Sequence, residues 1–157
     1  MSETHAIEVE KMLPFPPERV WRTLTRSDLL AKWLMPNDFE PVVGYRFTFQ
    51  TKPMGDWDGI VRCQVLQCDP PLVLRYSWKG GAESNPDYGS RLDSTVTWTL
   101  TRVEAGTHVK MVHDGFVFPG NQFAFNVMGQ GWGRIFDAIA RVTAGAEVTS
   151  SGRSSAA

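Results

Sequence analysis

An α+β fold, with one long helix lying against a curved antiparallel sheet, is predicted by the order of segments along the chain and by the faces those segments present. Two short helical pieces follow a first strand, some five strand-like segments come next, and a long helix from about 121 to 143 closes the fold. That helix carries Phe125, Met128, Trp132, Phe136 and Ile139 at helical spacing. Strands grouped in a run and followed by a helix indicate an α+β layer rather than a parallel α/β sheet. A helix laid on a curved sheet can enclose a hollow, so the expected role is that of a container for a small molecule.

Each element has its own signal. In residues 6–13, Ile7 and Val9 alternate with Glu8 and Glu10, as in a half-buried strand. Leu13-Pro14-Phe15-Pro16-Pro17 stops it, because proline has no N–H for a ladder and restricts the residue before it. Pro17 suits the first turn of a helix, whose apolar face is Val20, Trp21 and Leu24. A second short helix is expected from Ser27 or Asp28, either of them an N-cap residue, burying Leu30, Trp33 and Leu34. Met35-Pro36-Asn37-Asp38 ends it. Strands are expected over about 43–51, 59–68, 72–79, 91–102 and 107–116. Asp69-Pro70-Pro71 and Glu104-Ala105-Gly106 are compact turns between antiparallel neighbours. Met54–Trp57 reads as an exposed hairpin tip or a lid, and 80–89 as a longer polar loop. The domain is expected over 6–144. Residues 145–157 read as a disordered tail, since so polar a stretch buries too little apolar surface to offset its ordering entropy.

Composition narrows the function. The 157 residues suffice for one domain, and a 42% apolar, 21% charged chain is an ordinary globular one. Six Trp and nine Phe suit a thick core or a cavity wall. A formal net charge of −1 gives no reason to approach a phosphate backbone, which argues against nucleic acid as a partner. No apolar run approaches the ~18 residues of a membrane span. The charged N-terminus leaves no signal-peptide core, so a cytoplasmic location is expected. Cys63 and Cys68 lie five residues apart in one strand, about 17 Å along it and on opposite faces, which excludes a disulfide in a regular strand.

Period-2 alternation assigns the inner face. Leu92, Val96, Trp98 and Leu100 oppose a threonine face, and Val109, Met111 and His113 share the parity of Trp98. Phe47 and Phe49, and Leu74, Tyr76 and Trp78, fall on the inner sides of their strands, provided no bulge intervenes. The candidate ligand-binding set is therefore Trp33, Phe47, Phe49, Tyr76, Trp78, Trp98, Met111, His113, Phe125, Met128, Trp132 and Phe136. Gly129, Gly131 and Gly133 interrupt the last helix at about 1 kcal/mol each relative to alanine. They imply either close backbone packing, a late helix start, or room for a ligand beside Trp132. His113 is either a satisfied core histidine or a donor that orients a ligand. No catalytic motif, metal-ligand spacing, phosphate loop or dinucleotide fingerprint is present, so no cofactor, metal or catalytic residue is assigned.

The chain resembles the activator-of-Hsp90-ATPase-like family of the START-like, Bet v 1-type (SRPBCC) superfamily. The resemblance is carried by Pro16-Pro17-Glu18-Arg19-Val20-Trp21-Arg22-Thr23-Leu24-Thr25, Leu29-Leu30-Ala31-Lys32-Trp33, Asp69-Pro70-Pro71 and Tyr76-Ser77-Trp78. Ser94-Thr95-Val96-Thr97-Trp98-Thr99-Leu100, His113-Asp114-Gly115-Phe116 and Gly131-Trp132-Gly133 complete it. It implies a helix-grip fold: a curved six-stranded antiparallel sheet around a long C-terminal helix, two short helices after the first strand, and an apolar tunnel within. Trp33-Leu34 stands where the family commonly has two tryptophans, which narrows any aromatic pair at the pocket mouth. Relatives bind lipids, sterols, polyketides or hormones, a few are cyclases or hydrolases, and eukaryotic ones stimulate a chaperone ATPase. The expected partner is thus a small hydrophobic molecule, bound by a monomer or homodimer. The alternatives are a protein-interaction module of the Hsp90-activator type and a cavity enzyme with His113 or Tyr76 as acid/base. The absence of the long N-terminal extension of eukaryotic activators speaks against the first alternative.

Overall fold

Proline makes the first break in the chain. Strand β1 (Glu3–Leu13) ends at the Pro14–Pro17 run, and Pro17 opens helix α1 (Pro17–Thr25) with Pro16 at its N-cap in extended conformation. A second helix, α2 (Ser27–Trp33), follows after a single residue. The cap differs from the expectation: Arg26 occupies the N-cap position without a side-chain bond, and the Ser27 hydroxyl instead donates to the Asn37 carbonyl at 3.0 Å. The adjoining helices leave no room for a capping turn, so the serine fastens the chain that leaves α2 rather than the helix start.

The computed structural model describes residues 3–53, 56–81, 92–118 and 121–156, with side chains followed to residue 145. After α2 come β2 (Arg46–Gln50), β3 (Ile60–Asp69), β4 (Val73–Gly80), β5 (Leu92–Val103) and β6 (Gly106–Phe118), and then helix α3 (Gln122–Ala156). All neighbours in the sheet are antiparallel, in the order β1-β6-β5-β4-β3-β2. From β2 to β6 each strand pairs with the next in sequence, and β1 closes the far edge against β6. This is the α+β helix-grip arrangement that the order of segments predicts, with α1, α2 and α3 on the inner face of the curved sheet. The backbone of α3 continues through 145–156, the stretch whose composition reads as a tail.

Alternation holds along most strands, and β5 buries Leu92, Ser94, Val96, Trp98 and Leu100 in strict period. Two bulges alter it. In β6 the pairing jumps between His5↔Phe116 and Ala6↔Asp114, leaving Gly115 as the extra residue. Its φ of +105° favours glycine, and a Cβ there would lie 2.9 Å from both the Asp93 carbonyl oxygen and Ser94 Cα. The bulge turns both His113 and Phe116 inward, at 0% exposure each. In β3 the register shifts between Val65 and Gln67, and Leu66 is left exposed. This corrects the placement of the cysteines: Cys68 returns to the side of Cys63, half-buried, with its Sγ 3.5 Å from the Pro41 carbonyl oxygen. Both thiols are free.

The Met54–Trp57 expectation is corrected where it can be followed. Met54 and Gly55 lie outside the described residues, but Trp57 is buried and donates its indole N–H to the Ile60 carbonyl at 3.0 Å. Most of the 80–89 loop also lies outside the described residues.

Candidate functional site

Most of the aromatic residues placed inside by alternation do face the interior, and there they fill it. Trp98, at 0% exposure, meets Trp33 edge-on at 5.6 Å between ring centroids, Trp132 at 5.8 Å and Phe136 in a stacked pair at 5.7 Å. Phe47 contacts Phe49 and Tyr76, each at 5.4 Å, and Phe49 contacts Trp78 at 5.3 Å. Met111 is fully buried among them. Phe125 is only partly buried, against Phe116 and Phe118. The wide hollow expected between these side chains is therefore corrected to a close-packed core, in which aromatic pairs add about 0.5–1.5 kcal/mol beyond their burial. Alternation reports which face a residue occupies; it carries no information on whether its volume leaves space.

Space remains at one side of this core. A cleft of about 260 Å³ lies between Trp78 of β4, the end of α2 and the middle of α3. It is lined by Leu34, Met35, Trp78, Val127, Met128, Gly131, Trp132, Arg134 and Ile135. Of the candidate set, the cleft gathers Trp78, Met128 and Trp132; Trp33, Phe47, Phe49, Tyr76, Trp98, Met111, His113, Phe125 and Phe136 lie elsewhere in or against the core. Leu34, Met35, Val127, Arg134 and Ile135 come from outside that set. Val127, Gly131 and Arg134, and likewise Met128, Gly131 and Ile135, follow one another at three- and four-residue steps on α3, a spacing that marks them as one face.

Gly131 is the one of the three α3 glycines that lines the cleft, and its missing side chain leaves it open there. A Cβ at Gly129, Gly131 or Gly133 would meet nothing within 4 Å, and all three lie well inside α3. Close backbone packing and a late helix start are thus both overturned as reasons for them. The opposite wall is held by its own hydrogen bonds. Leu34 ends α2 with its N–H on the Leu30 carbonyl at 2.9 Å. Asn37 donates from its side chain to the carbonyls of Met35 and Ser27, at 2.9 and 3.3 Å, and accepts from the Phe39 N–H. The Trp33 indole N–H reaches the Thr23 carbonyl at 2.9 Å, tying α2 to α1.

Behind the two tryptophans of the cleft runs a buried polar relay. The Trp132 indole N–H points at His113 Nδ1 at 3.1 Å, His113 Nε2 is 2.8 Å from Ser94 Oγ, and Ser94 Oγ donates to the Trp78 carbonyl at 2.8 Å. Serine has one proton to give, so His113 carries its proton on Nε2 and accepts at Nδ1. The four groups form a single directed chain from Trp132 through His113 and Ser94 to the Trp78 backbone. Burial pushes the imidazole down to a pKa of about 3, which keeps it neutral. With both nitrogens engaged, His113 is a satisfied core histidine that anchors the tryptophans. Tyr76 accepts the Trp98 indole N–H at 3.0 Å, and burial pushes its phenol pKa up. Burial likewise raises the Cys63 thiol. His108 faces outward, 2.9 Å from Glu10. Among the described residues no three His, Cys, Asp or Glu side chains gather as a metal site, and no helix is long and apolar enough to cross a membrane.

A long helix held in a curved antiparallel sheet, with an apolar cleft against the helix, defines a protein of the helix-grip, Bet v 1-like class. Residues 14–144 match the family described as Activator of Hsp90 ATPase homolog 1-like protein, and the chain belongs to that family. A solved protein of Mesorhizobium loti is 36% identical, with 88% of this chain aligned to 96% of the other at a TM-score of 0.75. One from Bacillus halodurans is 24% identical over 91% and 99% of the two chains, at a TM-score of 0.72. DynU16, a protein in the dynemicin biosynthetic locus, is 21% identical, covering 87% of this chain and 46% of its own, at 0.68. These last two likenesses speak for the fold alone. None of the curated proteins compared with the chain matches it.

Proposed function

We propose that the protein binds a small apolar, aromatic molecule in the cleft between Trp78, the end of α2 and the glycine-interrupted face of α3. The observation that carries this reading is the open space at Gly131 beside Trp132, within the apolar cleft. A glycine inside a helix is a local cost, and at Gly131, where a side chain would enter the cleft, that cost fits a position kept clear for an occupant. The lining suits such a guest: two indoles at the inner wall, aliphatic Leu34 and Ile135, and two methionines that adapt to different shapes. At about 260 Å³ the cleft exceeds the ~150 Å³ cavity that holds a benzene, so one or two fused rings fit.

An aromatic of that size buries roughly 150–250 Å². At ~25 cal/mol per Å² this is worth about 4–6 kcal/mol, a Kd on the order of 0.1–1 mM for an unsubstituted ring system. Ligand-observed NMR suits that range. Saturation transfer from the protein to naphthalene-sized aromatics is expected for the wild type and not for Gly131→Leu, whose side chain fills the cleft. Equal transfer in both would refute the assignment. The free cysteines accord with a reducing compartment, and we assign the protein to the cytoplasm on that ground. An acid/base role for His113 or Tyr76 is disfavoured, because each is buried and committed to a hydrogen bond within the core.

A further inference from the structure

We infer that the ligand of the cleft is an aromatic carboxylate, its ring lodged against the paired indoles of Trp78 and Trp132, whose centroids lie 6.0 Å apart, and its anionic group on Arg134 at the mouth. This rests on the cleft reading above and specifies the chemistry of its occupant. Arg134 is the charged member of an otherwise uncharged lining. Among the described residues it enters no ion pair or hydrogen bond. Three other arginines are ion-paired, Arg62 with Asp58 at 2.9 Å, Arg26 with Asp28 at 2.9 Å and Arg102 with Glu18 at 2.5 Å; what sets Arg134 apart is its place on the apolar cleft. Asp137, the acid three residues along α3 from Arg134, is engaged by Lys11 at 2.7 Å. A guanidinium beside an apolar cleft, with its nearest helical acid occupied, offers two parallel N–H donors that match a carboxylate. A neutral guest would leave it unused.

The geometry also sets the arrangement of the guest. Trp78 and Trp132 are both buried at the inner wall, at 4% and 3% exposure, whereas Arg134 is exposed and Val127, two turns before it on the same face, is 41% exposed. An amphipathic molecule therefore enters ring first and keeps its charge where water and the guanidinium share it. An exposed pair of this kind is worth ~1 kcal/mol, about fivefold in Kd, a preference for charge laid over affinity supplied by the ring.

The test uses two probes of one shape, naphthoate and naphthylmethanol, titrated by calorimetry at low salt into the wild type, Arg134→Gln and Gly131→Leu. The expected result is that naphthoate binds the wild type about fivefold more tightly than the alcohol, that Arg134→Gln removes the preference while keeping the alcohol's affinity, and that Gly131→Leu abolishes both. Equal binding of the two probes to the wild type, unaltered in Arg134→Gln yet lost in Gly131→Leu, would overturn the carboxylate inference and leave the cleft reading standing. Binding unaffected by Gly131→Leu would overturn both. Circular dichroism of each variant establishes that the fold is retained, as expected for an exposed arginine and for a glycine whose Cβ meets open space.

Discussion

Replacing His113 by leucine removes the centre of the relay behind the cleft, and its effect has two parts that are separately measurable. The first is present at neutral pH. The Trp132 indole N–H, buried and now facing a hydrocarbon, is left without an acceptor, and Ser94 loses the bond it receives from Nε2. An orphaned buried donor costs about 1–3 kcal/mol and a lost ordinary bond about 1 kcal/mol, so the variant is expected to be ~2–4 kcal/mol less stable. The second part concerns pH. The folded imidazole has its pKa lowered to about 3 by burial, against 6.5 when unfolded, so the unfolded chain takes up the proton first. The wild type therefore has its full His113 contribution above pH 6.5 and loses it as pH falls toward 3. The slope in that window is ~1.4 kcal/mol per pH unit, or about 2 kcal/mol between pH 6.5 and 5. His113→Leu is less stable at pH 7 but loses this share of the acid dependence, and the two stability curves converge as pH falls. Urea unfolding at pH 7.0, 6.0 and 5.0, followed by tryptophan fluorescence, reads both parts. His113→Gln, with one donor and one acceptor, recovers part of the stability and none of the pH slope. A variant as stable as the wild type at pH 7, with the same slope, would refute the relay as drawn.

Further outcomes follow from the same geometry. Gly115→Ala places a Cβ at φ +105° against the Asp93 carbonyl, and a loss of about 1–3 kcal/mol is expected by thermal unfolding. Native protein treated with a thiol reagent is expected to label Cys68 slowly and Cys63 only on unfolding, since burial raises both thiols and Cys63 is the more enclosed; mass spectrometry of peptides reads the order. Lys11→Ala breaks an exposed pair with Asp137 and is expected to change stability by less than ~1 kcal/mol in urea titration.

The fold was legible because its signals were local and mutually consistent. The proline run placed the start of α1, the alternation of β5 and β6 named the inner face, and the turns at 69–71 and 104–106 made consecutive strands neighbours. The bulges at Leu66 and Gly115 were not legible, since an extra residue declares itself only by the register of the partner strand. The cleft was legible in part. Gly131 and Trp132 pointed to space and Leu34 to the apolar face of α2, while Met35 owes its place in the wall to an Asn37 hydrogen bond, which no periodicity encodes. His113 was placed on the right face, yet its role waited on the partners that the sheet and α3 bring to its two nitrogens.

Native mass spectrometry of freshly purified wild type beside Gly131→Leu decides whether the cleft at Gly131 holds a small apolar molecule. A bound small-molecule mass, or uptake of one from a pool of aromatic acids, is expected with the wild type alone. The same adduct on both proteins, or on neither after exposure to the pool, would contradict it.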